Sequence, residues 1–246
     1  MKVEPKKNLL LLERAGHRFN QLKLAYDLLS GCDGSRILDI GCGQGLLEEY
    51  FQDRDCVGMD IDSGSVRTAR ERAPHAHYIL GDIHNLPIKT GTLDIVAMMA
   101  VLGSVASGKE DHVFDEARRV LRVGGSVVIL VSQDTQPYSL LVPDRLFHGW
   151  HWRHFDAQFL KAKMTETGFL VKKLVFAGGI LSLGLDLFHY GWNRLWGRLS
   201  HRLLGRTFVP GLPYRKLSQI EKLEFRPFPR RLRKIARYVY IAAERV

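Results

Sequence analysis

The sequence predicts an α/β fold: a mostly parallel seven-stranded sheet with helices on both faces, carrying a basic amphipathic insertion between its last two strands. Three observations support that expectation. Short apolar runs alternate with helix-periodic stretches five times over, and such alternation requires right-handed crossovers and therefore parallel neighbours. The run from Leu93 to Ala100 is nearly all apolar, as in a strand buried on both faces. Finally, residues 178–237 hold 13 Lys/Arg against Asp186, Glu221 and Glu224, so this one segment carries the whole net charge of +10.

The elements come in order along the chain. Residues 9–29 set Leu11, Leu12, Ala15, Phe19, Leu22, Ala25, Tyr26 and Leu29 near a 3.6-residue period, a helix that Ser30-Gly31 ends. Arg36–Ile40 reads as a first strand that breaks into Gly41-Cys-Gly-Gln-Gly45 and then a helix through Leu46, Leu47, Tyr50 and Phe51. Cys56–Asp60 is a second strand, Ser65–Ala73 a helix closed by Pro74, and His77–Leu80 a third strand. Leu93–Ala100 is the fourth. Val113, Phe114, Ala117, Val120 and Leu121 mark a helix that Gly124-Gly125 is expected to stop, ahead of a fifth strand at Val127–Val131. Phe159–Thr167 is a helix ended by Gly168, Phe169–Phe176 the sixth strand and Tyr238–Ala243 the seventh. Four segments result: an N-terminal helical part (1–35), a sheet domain (36–177), the basic insertion (178–237) and the last strand (238–246). About sixty residues between two strands is far beyond the ~4–6 typical of a connection, so the insertion should have structure of its own.

Composition narrows the class. With 246 residues, 46% hydrophobic, 25% charged and only 9 Pro, the chain can bury one sizeable core, which excludes disorder and collagen-like repeats. Cys32, Cys42 and Cys56 are odd in number and lack paired spacing, so neither a disulfide framework nor a zinc ribbon is expected. No export signal is read at the N-terminus, and the apolar stretch Leu174–Leu185 stops at Asp186, short of the ~18 residues of a spanning helix. A cytoplasmic setting is expected.

Ligands of an open parallel sheet bind beyond the carboxyl ends of its strands. After the first strand comes Asp39-Ile-Gly41-Cys42-Gly43-Gln-Gly45, with Leu46 where a dinucleotide fingerprint would need a third spaced glycine. Asp60 ends the second strand, placed for two ribose hydroxyls, and Gly81-Asp82-Ile83 ends the third, placed for an exocyclic amine and a purine face. Those strand ends suit an amino acid, a ribose and an adenine. The stretch closely resembles the class I SAM-dependent methyltransferases of small-molecule type, which are Rossmann-like. The matching pieces are Ile37–Gly45, Val57–Asp60, Gly81-Asp82 with Leu86-Pro87, Leu93–Val96, Arg119–Gly125 and Gly168-Phe169. Val123 and Thr92-Leu93 depart from the pattern at turn and packing positions.

The resemblance implies S-adenosylmethionine (SAM) as cofactor. The methionine part would lie on the loop of Gly41, Cys42, Gly43 and Gly45, the ribose on Asp60 with Ile61 beside it, the adenine on Asp82 and Ile83, and the sulfonium along Met99 to Val101. Asp39 either braces the loop through nearby N–H groups or meets the cofactor directly. Asp62 suits a helix cap, and Cys42 a small filler rather than a nucleophile. Methyl transfer needs no obligatory base, but a hydroxyl acceptor benefits from one. Tyr138, His148, His151 and His154 come after the fifth strand, and His154 is preferred because the family often carries a His-aromatic pair there; His151 is the second candidate. With no acidic partner at ligand-like spacing, these histidines are not expected to bind metal.

In the insertion, Leu181, Leu185, Phe188, Trp192, Leu195, Trp196, Leu199 and Leu203 alternate with Arg194, Arg198, Arg202 and Arg206, and Arg226–Lys234 adds a second basic cluster. This pattern resembles a helix lying in a membrane interface, or a lid over the site. The expected protein is a methyltransferase acting on a small or lipid-like acceptor and touching anionic membrane through 178–237. An RNA methyltransferase using the same charges, or a SAM- or lipid-binding adaptor without turnover, are the alternatives.

Overall fold

The computed structural model of the protein describes residues 19–133, 153–179 and 236–246, together with 184, 188, 192, 195, 196, 202, 227–229, 231 and 233. Its elements run α1 (Phe19–Ser30), β1 (Arg36–Ile40), α2 (Leu46–Tyr50), β2 (Asp55–Asp60), α3 (Ser63–Arg72), β3 (His77–Leu80), β4 (Leu93–Met99), a 3-10 turn (Leu102–Ser104), α4 (Glu110–Val120), β5 (Leu121–Ser132), α5 (Ala157–Glu166), β6 (Phe169–Ala177) and β7 (Tyr238–Arg245). The strands form one sheet in the order β3-β2-β1-β4-β5-β7-β6, parallel except for β7, which is antiparallel to both its neighbours. Strand order reverses between β1 and β4, which opens a crevice at their carboxyl ends.

Alternating side chains of the central strands feed two cores. Leu38, Ile40, Val96, Met98, Val127, Ile129 and Val131 pack with Val113, Phe114 and Ala117 of α4 and Leu160 and Met164 of α5. The intervening Ile37, Ile95, Ala97, Val128 and Leu130 pack on the other face with Leu22, Ala25, Tyr26 and Leu29 of α1 and Leu47 and Tyr50 of α2. Period two in the strands and period 3.6 in the helices thus meet at both faces. Tyr26, Tyr50 and Phe51 close the second core as an aromatic triad with centroids 4.9–5.7 Å apart.

At the amino-end rim, buried Asp94 joins three strands. Its carboxylate accepts from the backbone N–H groups of Ser35 (3.1 Å) and Arg36 (3.0 Å) and from Arg122 Nε (2.7 Å). Burial pushes its pKa up, but the Arg36 N–H, the Arg122 guanidinium and the Ser35 N–H outweigh that and hold it well below the usual carboxylate range. Gly34 leaves room for this carboxylate, since a Cβ there would lie 2.3 Å from Asp94 Cβ.

One expectation fails here. The Gly124-Gly125 pair does not stop the helix: α4 ends at Val120 and β5 begins at Leu121, pairing with Leu93 before the register slips between Leu93 and Ile95. The glycines lie inside this irregularity, where a Cβ on Gly125 would come within 2.9 Å of Arg122 O and 3.1 Å of Asp94 O. Close approach of backbone selects Gly125 and a φ of +74° selects Gly124; neither ends the helix.

The insertion leaves after β6 and returns into β7 at the carboxyl-end rim, where Ala177 pairs with Tyr238 and Ser132 with Tyr238. Its returning arm is fastened there: Phe228 N–H donates to Phe176 O (2.8 Å), Arg233 lies over the Phe176 ring at 5.2 Å, and Gln133 N–H donates to Arg237 O (2.7 Å). In the first half, Gly184, Phe188, Trp192, Leu195, Trp196 and Arg202 are each helical.

Candidate functional site

The loop from Gly41 to Gly45 fills the crevice mouth. Gly41 and Cys42 N–H groups both donate to Met59 O (2.7 and 3.0 Å), tying the loop to β2. The three glycines do different things. Gly41 is demanded by packing, since a Cβ would lie 2.6 Å from Val101 Cγ2, and Gly45 likewise, with Ala69 Cβ and Cα at 3.0 Å. All three have positive φ (+73°, +52° and +77°), where L side chains are strained, but Gly43 has nothing within 4 Å of where a Cβ would be. Of the three, Gly43 alone turns its backbone to open space. Cys42 is buried against this loop, and burial followed by the charges of Asp39, Glu48 and Asp60 pushes its thiol far up, leaving it without nucleophilic character.

The next strand ends supply the expected carboxylates. Asp60 Oδ2 accepts from Gly43 N–H (2.9 Å) and Oδ1 from Asp62 N–H (2.9 Å), so this residue shapes the loop while each oxygen keeps acceptor capacity for a hydroxyl. Asp62 caps α3 by accepting from Ser65 N–H at 2.7 Å. Ile61 between them is 74% exposed. Asp82 is exposed, and its Oδ1 accepts the backbone N–H of His84 (2.9 Å) and lies 2.7 Å from His84 Nδ1, leaving Oδ2 toward solvent. Ile83 is half-buried against the core, and Met99 at the end of β4 is half-buried as well. Just beyond Met99, Ala100 has φ +61°, the one described non-glycine residue with positive φ, a strained geometry of the kind concentrated at functional sites. Sequence reasoning does not reach His84, for which a histidine two residues after Asp82 is the available signal; Ala100 lies within the stretch expected beside the sulfonium, but nothing local marks its positive φ.

Below the loop lies a buried acidic chamber. In parallel register Asp39 pairs with Gly58 and Gly58 with Tyr78, so these positions share one face of the sheet. A Cβ at Gly58 would lie 2.4 Å from Glu48 Oε1 and 2.8 Å from the Tyr78 ring. The missing side chain makes the space that the Glu48 carboxylate fills. Glu48 is fully buried and neither of its oxygens has a hydrogen-bond partner among the described residues; the same holds for Asp39 Oδ1. Burial pushes the Glu48 carboxyl up to about 7. Burial, then the charges of Glu48 and Asp60, raise Asp39 well above its ordinary value. With Oδ1 of Asp39 unpartnered and Asp60 accepting the Gly43 N–H, the bracing of the loop falls to Asp60.

Of the histidines, His154 is exposed and held between two fixed neighbours. Arg153 donates from its backbone to Gly103 O (2.9 Å) and from its guanidinium to Val105 O (3.2 Å) and the buried Glu110 carboxylate. Phe155 is buried and its N–H donates to Ser132 O (3.0 Å). His154 therefore stands on the carboxyl-end rim, between the end of β5 and the segment that continues β4. His151, Tyr138 and His148 lie outside the described residues. Among the described residues, no group of three or more His, Cys, Asp and Glu could hold a metal ion.

Residues 38–129 match the family described as a methyltransferase domain. The chain is 29% identical over 191 residues to a probable S-adenosylmethionine-dependent methyltransferase of Mycolicibacterium smegmatis, covering 73% of this chain and 70% of that one. It is 28% identical over 225 residues to a ubiquinone/menaquinone biosynthesis C-methyltransferase of Campylobacter jejuni, covering 88% and 80%. Its fold matches that of geranyl diphosphate C-methyltransferase from Streptomyces coelicolor, solved with Mg2+, geranyl diphosphate and S-adenosyl-L-homocysteine, at a TM-score of 0.62 with 17% identity, over 94% of this chain and 80% of that one.

Proposed function

We propose that this chain, which belongs to the class I SAM-dependent methyltransferases, transfers its methyl group to a hydroxyl of a small lipophilic acceptor met at an anionic membrane surface. SAM is the cofactor, and the residues at the carboxyl-end rim fit it. The open face of Gly43 admits a ligand against backbone, Asp39 Oδ1 is an acceptor without a partner among the described residues, and Asp60 and Asp82 each have oxygens to offer. The loop Gly41–Gly45 would hold the amino-acid end, Asp60 the ribose hydroxyls, Ile61 and Ile83 the two faces of the adenine, Asp82 its amine, and Met99 the reacting end.

When bound, SAM supplies a methyl group already activated on a sulfonium, so the protein's work is alignment and exclusion of water. His154 would take the hydroxyl proton of the acceptor through a ring nitrogen, from a rim position fixed by Arg153 and Phe155.

The observation that supports a lipophilic acceptor is where the insertion sits. Residues 178–237 depart from and return to the rim that carries Gly43, Met99 and His154. Phe188, Trp192 and Trp196 meet at helical spacing as tilted ring pairs with centroids 5.8 and 5.6 Å apart, while Phe188 is 48% and Leu195 62% exposed. An apolar, aromatic, basic segment whose two ends are anchored at this rim would reach into a lipid interface and deliver its contents to the methyl group. Among the described residues no helix is long and apolar enough to cross a membrane. The name of the C. jejuni relative refers to ubiquinone and menaquinone biosynthesis, which agrees with a lipophilic acceptor, and to methyl transfer to carbon, which differs from the hydroxyl proposed for this chain.

Liposome flotation tests the reading. Binding should rise with anionic lipid, and Trp192→Ala with Trp196→Ala should weaken it even in low salt, because burial of each large apolar side chain contributes roughly 1.5–3 kcal/mol. A cell extract given methyl-labelled SAM should accumulate label in the lipid fraction. Label in RNA instead, with tryptophans that prove irrelevant and a steep salt dependence of RNA binding, would overturn the proposal.

A further inference from the structure

Glu48 is a residue that the cofactor assignment does not use, yet among the described residues it is a fully buried carboxylate with neither oxygen hydrogen-bonded. It stands in the first turn of α2, directly after the glycine loop, with both oxygens buried and unpartnered among the described residues. The titratable groups that feel its charge are acidic or neutral: Asp39 from β1, Cys42 from the loop, Cys56 from β2 and Tyr78 from β3, with Asp60 acting in turn on Asp39. The nearby cations are engaged elsewhere. Arg72 donates to Gln44 O (2.9 Å) and pairs with Glu49 (3.7 Å), Arg54 reaches the carbonyls of Leu29 and Cys32 (both 3.5 Å), and His75 Nε2 contacts the Glu48 backbone oxygen at 3.1 Å rather than its carboxylate.

We propose that Glu48 is a positioning residue that, through Asp39, couples cofactor binding to release of a proton. The inference rests on the assignment of SAM to the loop above this chamber. Two buried carboxyl groups without a cation cannot both ionise at neutral pH, because neither is solvated and each raises the cost of charging the other. The free protein therefore holds a proton in the chamber. A cofactor that brings an ammonium and a sulfonium to the loop lowers the cost of charging Asp39 and with it Glu48, so the proton passes to solvent as the complex forms. No bond other than O–H is broken, and the two carboxylates then face the cationic ligand. Burial raises both carboxyls, Glu48 to about 7, so the proton belongs to the pair.

The pair binds a proton more tightly in the free protein than in the complex, so SAM affinity rises with pH below about 7 and levels off above it. Calorimetry of the full chain with SAM in two buffers of different ionisation enthalpy reads the proton directly. The expected result is net proton release near pH 6.5 and an affinity that climbs by about three- to tenfold per pH unit between pH 5.5 and 7. Glu48→Gln should flatten that climb and abolish most of the buffer-dependent heat. A second readout needs no variant: the carboxyl carbon of Glu48, followed by NMR in the native protein, should titrate near neutrality when free and at lower pH when SAM is bound. Proton-neutral binding with a flat pH profile, or a Glu48→Gln protein with the native profile, overturns the proposal while leaving the cofactor assignment standing. Absence of SAM binding at every pH removes both.

Discussion

Asp94 and Glu48 are both buried carboxylates packed at the same sheet, Asp94 within β4 at its amino-end rim and Glu48 on α2 behind the carboxyl-end loop, and they are treated in opposite ways. Asp94 receives two backbone N–H groups and a guanidinium, and it is held ionised. Glu48 receives nothing among the described residues and is pushed toward its neutral form. A buried charge that is fully partnered has a structural role completed by the fold itself; one left without partners costs stability that only a ligand can return. The contrast separates a rim where a carboxylate joins strands from a rim where, among the described residues, buried carboxylate oxygens have no partner.

The largest effect should come from breaking the completed site. Asp94→Ala strands two backbone donors and Arg122, and should cost about 3–5 kcal/mol in urea denaturation. The contribution of Asp94 is present above the unfolded carboxylate value near pH 4 and is lost as pH falls through its depressed folded value.

Glu48 should behave with the reverse sign. Its folded pKa is raised from 4.5 to about 7, so the folded state of the free protein binds more protons than the unfolded chain between those values, and stability falls as pH climbs through them. A shift of that size amounts to roughly 3 kcal/mol. Glu48→Gln should therefore match the native protein near pH 4 and exceed its stability by about that amount at pH 8, read as melting temperature against pH. A native melting temperature independent of pH over this range would remove the contrast.

A third test sharpens the comparison by asking what the carboxyl-end rim does rather than what it costs. With a hydroxyl acceptor, His154→Ala should lower kcat by about 10², close to 2.7 kcal/mol in the barrier, while SAM affinity stays near that of the native protein. An unaltered pH-rate profile would take His154 out of the mechanism.

Legibility in the sequence divides along the same line. The strands announce themselves, because apolar runs such as Ile37–Ile40 and Leu93–Met99 fix their own type, and the glycine loop marks the start of the helix behind it. The carboxylates Asp60 and Asp82 are legible from their places at strand ends. The Gly124-Gly125 pair misleads, since a local helix-stop signal and a strand bulge use the same residues, and only the packing of Asp94 against Gly125 decides between them. Glu48 is invisible for a different reason. In Leu-Leu-Glu-Glu-Tyr its neighbour Glu49 makes it look like one of a surface pair, and its burial depends on the empty side of Gly58 and on Tyr78, ten and thirty residues away. Asp94 likewise depends on Gly34, Ser35, Arg36 and Arg122, which no periodicity connects.

The most direct test compares Asp60→Ala with a conservative change in the other rim, Asp94→Asn, by calorimetry with SAM and by melting temperature. The expected result is crossed. Asp60→Ala should weaken SAM by roughly 1–3 kcal/mol, through lost charge-assisted hydrogen bonds, with the smaller loss of stability; Asp94→Asn should lower the melting temperature by several degrees and leave SAM affinity as it was. Native SAM affinity in Asp60→Ala, or an Asp94→Asn protein that loses as much SAM affinity as is expected of Asp60→Ala, would contradict the division of the sheet into a structural rim and a cofactor rim.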